Sequence, residues 1–394
     1  MDKRPDLLVV GGGPAGAITA RAAAERGVDT LLVDKKKDLS TSSTCGGLVS
    51  METWRRLGSP ESAFVGEIRG AIIHLPDGTS YKLAARNPRA VVLDRERLNE
   101  VLLGRAMDKG VRVEAGLNLV DLDKKTARLK DLATGELSLM EPRYVVGADG
   151  PVSDVRRLVG GGDQPRRLYA VQVDARSGRF HGDLVEVYFG RNVAPGFFAW
   201  IIPTGSDQAR VGLATEAGGR LSELLYNLVN KVKPEDTWNE RTGIIPIGVP
   251  PASPQQNVLL VGDAAGQVKP STGGGLYPIT VTGEIAAEAV AQGLGGQQEV
   301  NLHYREEWME EVGEKLERET LLHRILNRLS DEDLNSILKI LDEPKVSELL
   351  IERGDTDHLY RLAKDLFKQP RVLTCLLRAL PSRLGLKLRQ EFSG

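Results

Sequence analysis

The chain has 394 residues, 41% of them hydrophobic, and a formal net charge of −2. That length exceeds one typical core and predicts two or three domains, and the near-neutral balance argues against general nucleic-acid binding. Two cysteines far apart in sequence, Cys45 and Cys375, argue against a disulfide framework and for a reducing cytosol, and without a run of about 18 apolar residues no spanning helix is expected.

The N-terminal apolar stretch is interrupted by Gly11–Gly13 and Pro14, so it reads as mature structure and not as a signal peptide. Residues Asp6 to Asp34 read as strand, glycine-rich turn, helix, strand and acid. Leu7–Val10 is short, apolar and branched, as a buried parallel strand is. Gly11, Gly13 and Gly16 then give G-x-G-x-x-G. These glycines serve a tight turn, close approach of backbone N–H groups to a pyrophosphate, and close helix–strand packing. The following helix starts at the anion, where its dipole favours negative charge. A second apolar strand, Thr30–Val33, ends at Asp34, where a carboxylate can bond a ribose hydroxyl. Together these features predict dinucleotide binding without saying which dinucleotide.

Lys35–Lys37 read as a solvated turn. The small, polar segment after them centres on Cys45. From the residues alone, its thiol is either a small packing group or a group touching the cofactor's reactive ring. Met51–Leu57 reads as a helix. Ile68–Leu83 alternates around a P-D-G turn, a hairpin outside the nucleotide sheet. Val91–Leu93 and Val111–Val113 read as strands flanking a helix over Arg95–Met107, with Leu98, Leu102 and Ala106 on one face. Arg95, at a strand-to-helix junction, can reach a pyrophosphate or pair with a carboxylate. Leu117–Leu139 reads as strands with turns. Tyr144–Val146 then leads into G-A-D-G-P-V-S-D-V-R-R, where Asp149 follows a strand end of the kind that binds ligands.

From Leu168 to Leu213 short alternating strands predict an antiparallel sheet in a separate domain. Its A-P-G-F-F-A-W-I-I-P stretch is either a core strand or the apolar wall of a substrate pocket. Strand alternation puts Phe198 and Trp200 on one face and Phe197 on the other. Leu221–Val232 reads as a helix. Asn257–Val261 is a strand running into G-D-A-A-G-Q-V-K-P-S-T-G-G-G-L, whose small residues let backbone approach a flat ligand. A helix is expected from about Tyr277 to Gln292, with Gly273–Gly275 at its N-terminal end. Beyond Asn301 the chain is helical and charged. The basic segment 370–392 is either a membrane-surface helix or a packed helix with solvated arginines. His74 and His181, in sheet loops, and His303, His323 and His358, in the helical tail, are expected at the surface.

Three stretches together resemble the flavoproteins of the para-hydroxybenzoate hydroxylase fold. They are G-x-G-x-x-G with Asp34, G-A-D-G-x-x-S-x-V-R at Gly147–Arg156, and G-D-A-A-G at Gly262–Gly266. The resemblance implies FAD, with the first motif on its ADP part, the second near the pyrophosphate and Asp263 on the ribityl chain. Within that group the chain resembles the geranylgeranyl reductase family, especially its archaeal members. The long G-D-A-A-G motif carries this, as do T-C-G-G at Thr44–Gly47, R-x-x-L-N-x-x-L from Arg95, and P-G-F-F-A-W-I-I-P against the family's P-x-x-Y-x-W-x-F-P. Here Phe198 replaces Tyr, Ile202 replaces Phe, and Lys269 stands where Asn is usual.

The expected class is α/β. A Rossmann-like FAD-binding domain covers 1–65, 90–165 and 255–300, an antiparallel-sheet substrate domain 66–89 and 166–254, and a helical region 301–394. The resemblance implies cofactor contacts from Gly11, Gly13, Ala15, Gly16, Asp34, Cys45, Gly46, Leu48, Arg95, Val120, Asp149, Asp263, Gly274, Gly275 and Leu276. It implies a substrate wall of Phe197, Phe198, Trp200 and Pro203, a catalytic Cys45, and no metal.

The activity so implied is reduction of isolated C=C bonds in a prenyl lipid. With no adjacent carbonyl to take up charge, hydride from N5 of the reduced flavin adds to one carbon while a proton adds to the other. The tertiary carbon acquires carbenium character in a dry pocket, where the faces of Trp200, Phe197 and Phe198 can stabilise it. No proton donor stands out; Tyr277, a water near Gly274–Leu276, and Cys45 are the candidates. Ferredoxin or NAD(P)H is the expected electron donor. The expected location is cytoplasmic, with peripheral membrane contact through the basic C-terminal helix. A prenylquinone side-chain reductase and a flavin-dependent aromatic or quinone monooxygenase are the alternatives.

Overall fold

The computed structural model describes residues 4–40, 45–123, 126–161, 166–251, 253–354, 356–357, 364–366, 369, 372 and 376. Its first sheet has five parallel strands in the order Val258–Leu260, Tyr144–Gly147, Leu7–Val10, Thr30–Asp34 and Arg112–Ala115. Leu7–Val10 is central and buried along its whole length, which is why it reads as an unbroken apolar run. Helices Pro14–Glu25, Arg95–Asp108 and Leu276–Leu294 cover one face. The other face carries the antiparallel strands Leu117–Leu122, Ala127–Asp131 and Leu137–Met140 with the short helix Asp154–Leu158. Small residues set the helix contact: a methyl group at Gly283 would stand 3.0 Å from Thr19 Oγ1. The strand ends at Val10, Asp34 and Gly147 are aligned at one edge, where open parallel sheets bind ligands.

A second sheet of seven strands runs Asp236–Ile247, Arg166–Arg176, Gln208–Thr215, Ala199–Pro203, Leu184–Tyr188, Gly70–His74 and Ser80–Ala84. Helix Leu221–Val232 packs on one face, against Ala199, Ile201, Val211 and Leu213. Trp200 and Ile202 point to the other, with Leu48, Ile68 and Val92. The sheet is not antiparallel throughout, as the sequence predicts: Leu184–Tyr188 runs parallel to Gly70–His74. That hairpin belongs to an earlier part of the chain and joins the edge through a long crossover, which permits a parallel pair where a tight turn does not. His74 therefore lies on a strand and not in a loop. Its Nε2 is 2.7 Å from Glu186 Oε2, and its ring stacks on Tyr188.

A small sheet of Leu48–Ser50, Ala90–Leu93 and Phe64–Ile68 joins the two layers. It carries the Cys45 loop at one end and the Arg95 helix at another. After it the described C-terminal residues form helices Val300–Trp308, Glu314–Leu326, Asp331–Leu338 and Pro344–Arg353, with a π turn over Met309–Gly313. They do not form a detached tail. Tyr304, Trp308 and Leu316 enter the core beside the parallel sheet, and Leu322 and Ile325 pack with Ile73 and Tyr81 of the hairpin. Of the segment 370–392 only Gln369's successors Val372 and Leu376 are described, both buried in that second cluster. No described helix is long and apolar enough to cross a membrane.

Candidate cofactor and substrate site

Gly11 follows the central strand with φ +115°, a conformation open to glycine. A methyl group there would lie 2.3 Å from the Ala148 carbonyl oxygen, and one at Gly16 would lie 1.8 Å from the Gly11 oxygen. These two glycines bring turn, helix and neighbouring strand together. A methyl group at Gly13 would meet nothing within 4 Å, so the space over the helix N-terminus is open. Ala15 is buried in the first helical turn, against Gly262. Asp34 reaches this turn from the next strand: its Oδ2 accepts from the Gly12 N–H at 2.6 Å and its Oδ1 from Lys36 N–H at 2.7 Å. Val120, on a strand beside Thr30–Asp34, falls at a register shift and has no paired residue opposite it, as in a bulge.

Asp149 accepts from Ser153 Oγ at 2.6 Å and from the Val155 N–H at 3.0 Å. Both bonds shape its own loop, and burial raises the carboxyl against them. Arg95 begins the Arg95–Asp108 helix, where Asp94 caps the Glu96 and Arg97 N–H groups. Its Nε and Nη1 are buried without a hydrogen-bond partner, as is Asn99 Oδ1 one turn on. Asn99 Nδ2 meanwhile donates to the Gly12 oxygen at 3.2 Å. Asp263 arrives from the far edge of the sheet. Burial pushes its carboxyl up to about 6 against the pull of the Arg95 guanidinium. A methyl group at Gly275, the cap of helix Leu276–Leu294, would stand 3.3 Å from Asp263 Oδ1. Arg95, Asp263, Gly275 and buried Leu276 are thus gathered from distant parts of the chain.

The Cys45 loop meets the second sheet. Cys45 is half-buried and its Sγ accepts from the Gly47 N–H at 3.4 Å. A methyl group at Gly46 would lie 2.5 Å from Ile202 Cδ1, and Leu48 packs in the cluster that holds Trp200 and Ile202. Arg210, which sequence reading passed over, ties this contact. Its Nη1 donates to the Gly46 and Leu93 oxygens at 2.9 and 3.0 Å. The signal was a charge in an otherwise apolar strand, A-R-V-G-L-A. Trp200 Nε1 donates to Gln172 Oε1 at 3.1 Å, which fixes the indole. Pro203 is buried at the end of the same strand.

Phe197 and Phe198 do not occupy opposite faces of a strand. The strand begins only at Ala199, and Phe197 N–H closes a turn onto the Ala194 oxygen at 3.0 Å. Freed from alternation, the two rings stack at 4.2 Å, and Phe198 meets Trp200 edge-on. Gly273 faces them: a methyl group there would be 2.9 Å from Ile245 and 3.8 Å from Phe197. Gly274 packs on the Lys269 side chain. The aromatic wall thus lies between the Cys45 loop and the Gly273–Gly275 loop.

The C-terminal helices complete the enclosure. Glu319 on Glu314–Leu326 is 1% exposed and accepts from Ser271 Oγ at 2.5 Å. Burial pushes it up to about 7, against the Lys269 ammonium and the Ser271 bond. His323, expected at the surface, is 3% exposed with its ring 5.9 Å from that of Phe197. Burial, aided by Arg166 and Arg324, lowers it to about 4. Lys269 pairs with buried Asp357 and donates to the Thr356 oxygen at 2.6 Å. Asp357 also accepts from Ser50 Oγ and, at 2.6 Å, from Thr53 Oγ1. The burial and pairing of these residues are not legible in the sequence, because only the tertiary fold brings the tail to the loop.

The polar groups and space fit FAD: Arg95 presents buried unpaired donors and Asn99 a buried unpaired acceptor, and the glycine turn is open where a phosphate would sit. The family model described as FAD binding domain matches residues 4–221. A digeranylgeranylglycerophospholipid reductase of Methanothrix thermoacetophila is 30% identical over 91% of this chain and 96% of its own. The protein of that name from Methanosarcina acetivorans is 30% identical over 95% and 96%. Among solved structures, a geranylgeranyl bacteriochlorophyll reductase-like protein of Thermoplasma acidophilum superposes with a TM-score of 0.80 at 23% identity, over 92% of this chain and 99% of that one.

Proposed function

The chain belongs to the digeranylgeranylglycerophospholipid reductase family of FAD-binding proteins, and from that premise we propose that it saturates isolated C=C bonds in the geranylgeranyl chains of a membrane lipid. What carries this reading is the aromatic wall of Phe197, Phe198 and Trp200 set between the Cys45 loop and the Gly273–Gly275 loop. Such a wall accepts a prenyl chain by burial of apolar surface.

Reduced FAD supplies the hydride; the remaining work falls to the protein. Gly11, Gly13, Ala15, Gly16 and Asp34 would hold the ADP part, and Arg95 the pyrophosphate, near the loop that Asp149 shapes. Asp263, Gly274, Gly275 and Leu276 would hold the ribityl and ring end, with Cys45, Gly46, Leu48 and Val120 beside it. An isolated alkene has no carbonyl to take up charge, so charge in the transition state must be met by the pocket. Ring faces contribute about 1–2 kcal/mol each to a desolvated positive centre, and exclusion of water strengthens that attraction. Trp200, pinned by Gln172, is already in place and loses little freedom when substrate arrives. Ferredoxin or NAD(P)H would re-reduce the cofactor. The basic C-terminal segment would bring the protein to the cytoplasmic membrane surface, where its lipid substrate resides.

The test is optical. Holoprotein reduced without oxygen and mixed with a digeranylgeranylglyceryl phospholipid should regain the oxidised flavin spectrum. A lipid with saturated chains should leave it reduced. A flavin that stays reduced with both lipids contradicts the proposal.

A further inference from the structure

Resting on the reductase reading, we propose that Glu319, acting through the Ser271 hydroxyl, supplies the proton that accompanies the hydride when the C=C bond is saturated. Glu319 is 1% exposed and is bonded by Ser271, which donates to it from Oγ at 2.5 Å and from its backbone N–H. Ser271 lies two residues before Gly273, which packs directly against the aromatic side of the pocket: a methyl group there would stand 2.9 Å from Ile245 and 3.8 Å from Phe197. One turn beyond Glu319, His323 stands on the same helix face with its ring against Phe197. This face of Glu314–Leu326 therefore runs from the glycine loop to the aromatic wall.

The electrostatics agree with the geometry. Burial holds the Glu319 carboxyl up to about 7, and Asp357 pushes the same way, against Lys269 and the Ser271 bond. At neutral pH a good part of it carries a proton. His323, held down to about 4, is neutral there and has no such proton to give. Lys269 does more than fill the place of the family's Asn. Its charge lies close enough to pull on Glu319, so the carboxylate left after transfer is tolerated in a dry setting.

The step balances. Two electrons and one hydrogen enter the bond as the hydride supplied by the reduced cofactor, which is left oxidised. One proton leaves the Glu319 carboxyl, the Ser271 hydroxyl hands on one proton as it takes another, and the alkene becomes the alkane. Glu319 recovers its proton from water when product leaves.

The experiment compares wild-type holoprotein with E319Q, E319D and S271A. Single-turnover reoxidation of the reduced flavin by the prenyl lipid is followed across pH, and FAD affinity is measured in parallel. Wild type should hold a constant rate below about pH 7 and slow above it. E319Q keeps a partner for Ser271 but has no acidic proton. It should lose on the order of 100-fold in rate and lose the pH limb, with FAD affinity unchanged. E319D should recover part of the rate. S271A should be slowed while keeping the limb. Infrared spectra taken without lipid should show a protonated-carboxyl band in wild type that fades as pH rises through about 7 and is missing in E319Q. A wild type that binds FAD but never reoxidises with prenyl lipid overturns the reductase reading and this role with it. An active wild type whose rate and pH limb persist in E319Q, or whose infrared band is absent, overturns the role of Glu319 alone.

Discussion

At the scale of single residues, Arg95 is the sharpest case. Its place at a strand-to-helix junction suits either a phosphate or a carboxylate. The structure gives it both an acidic neighbour, Asp263, and buried donors without a partner. Truncating it as Arg95→Met removes charge-assisted bonds of about 1.5–3 kcal/mol. FAD affinity should fall by roughly 10- to 100-fold, and the Asp263 carboxyl should rise, because Arg95 is the charge that opposes its burial. Fluorescence titration of apoprotein with FAD checks this, and an unchanged Kd removes Arg95 from the site. Gly11, Gly16 and Asp34 were legible from sequence because their work is local: each shapes a turn only a few residues long. Phe197 was misplaced because strand alternation was extended beyond the true strand end at Ala199. Glu319 is not legible in the sequence, and His323, expected at the surface, is buried, because what defines both is burial against residues far away in the chain.

At the scale of elements, the strands and helices of the first 290 residues follow their sequence patterns closely, since period and punctuation carry them. The parallel edge pair did not show, because alternation fixes faces but not neighbours. Nor did the docking of the C-terminal segment, where Asp357 joins Lys269 of the glycine loop to Ser50 and Thr53 at the start of helix Met51–Arg56. Burial alone would raise the Asp357 carboxyl, but the Lys269 charge and the bonds from Lys269, Ser50 and Thr53 hold it below its ordinary 3.8. A carboxylate with a lowered folded value stabilises above its unfolded value and loses that contribution as pH falls through the lower one. Asp357→Asn leaves Lys269 buried without its counter-charge, so it should destabilise by about 3–5 kcal/mol near neutral pH. The gap to wild type should narrow as pH falls below 3.8. Denaturant unfolding at both pH values measures it; an equal gap at both would mean that Asp357 acts by packing and not by charge.

At the scale of the whole molecule, the proposed cofactor site is threaded through the chain: the first strand and turn, the Arg95 helix, the Asp263 turn and the Gly275 cap. Each piece carries its own short motif, which is why the overall fold was legible before the pieces could be placed together. The substrate side is assembled differently, from one sheet, two loops and a C-terminal helix, and only part of it was readable. That enclosure places an apolar wall between the Cys45 and Gly273–Gly275 loops, and the central claim is that a prenyl chain is saturated there. Mass spectrometry of a digeranylgeranylglyceryl phospholipid, incubated without oxygen with reduced holoprotein in deuterated water, tests it most directly. The account predicts products heavier by two hydrogens for each saturated bond, with solvent deuterium entering at least one of the two positions. Recovery of the lipid unchanged, from protein shown to hold reduced FAD, would contradict it.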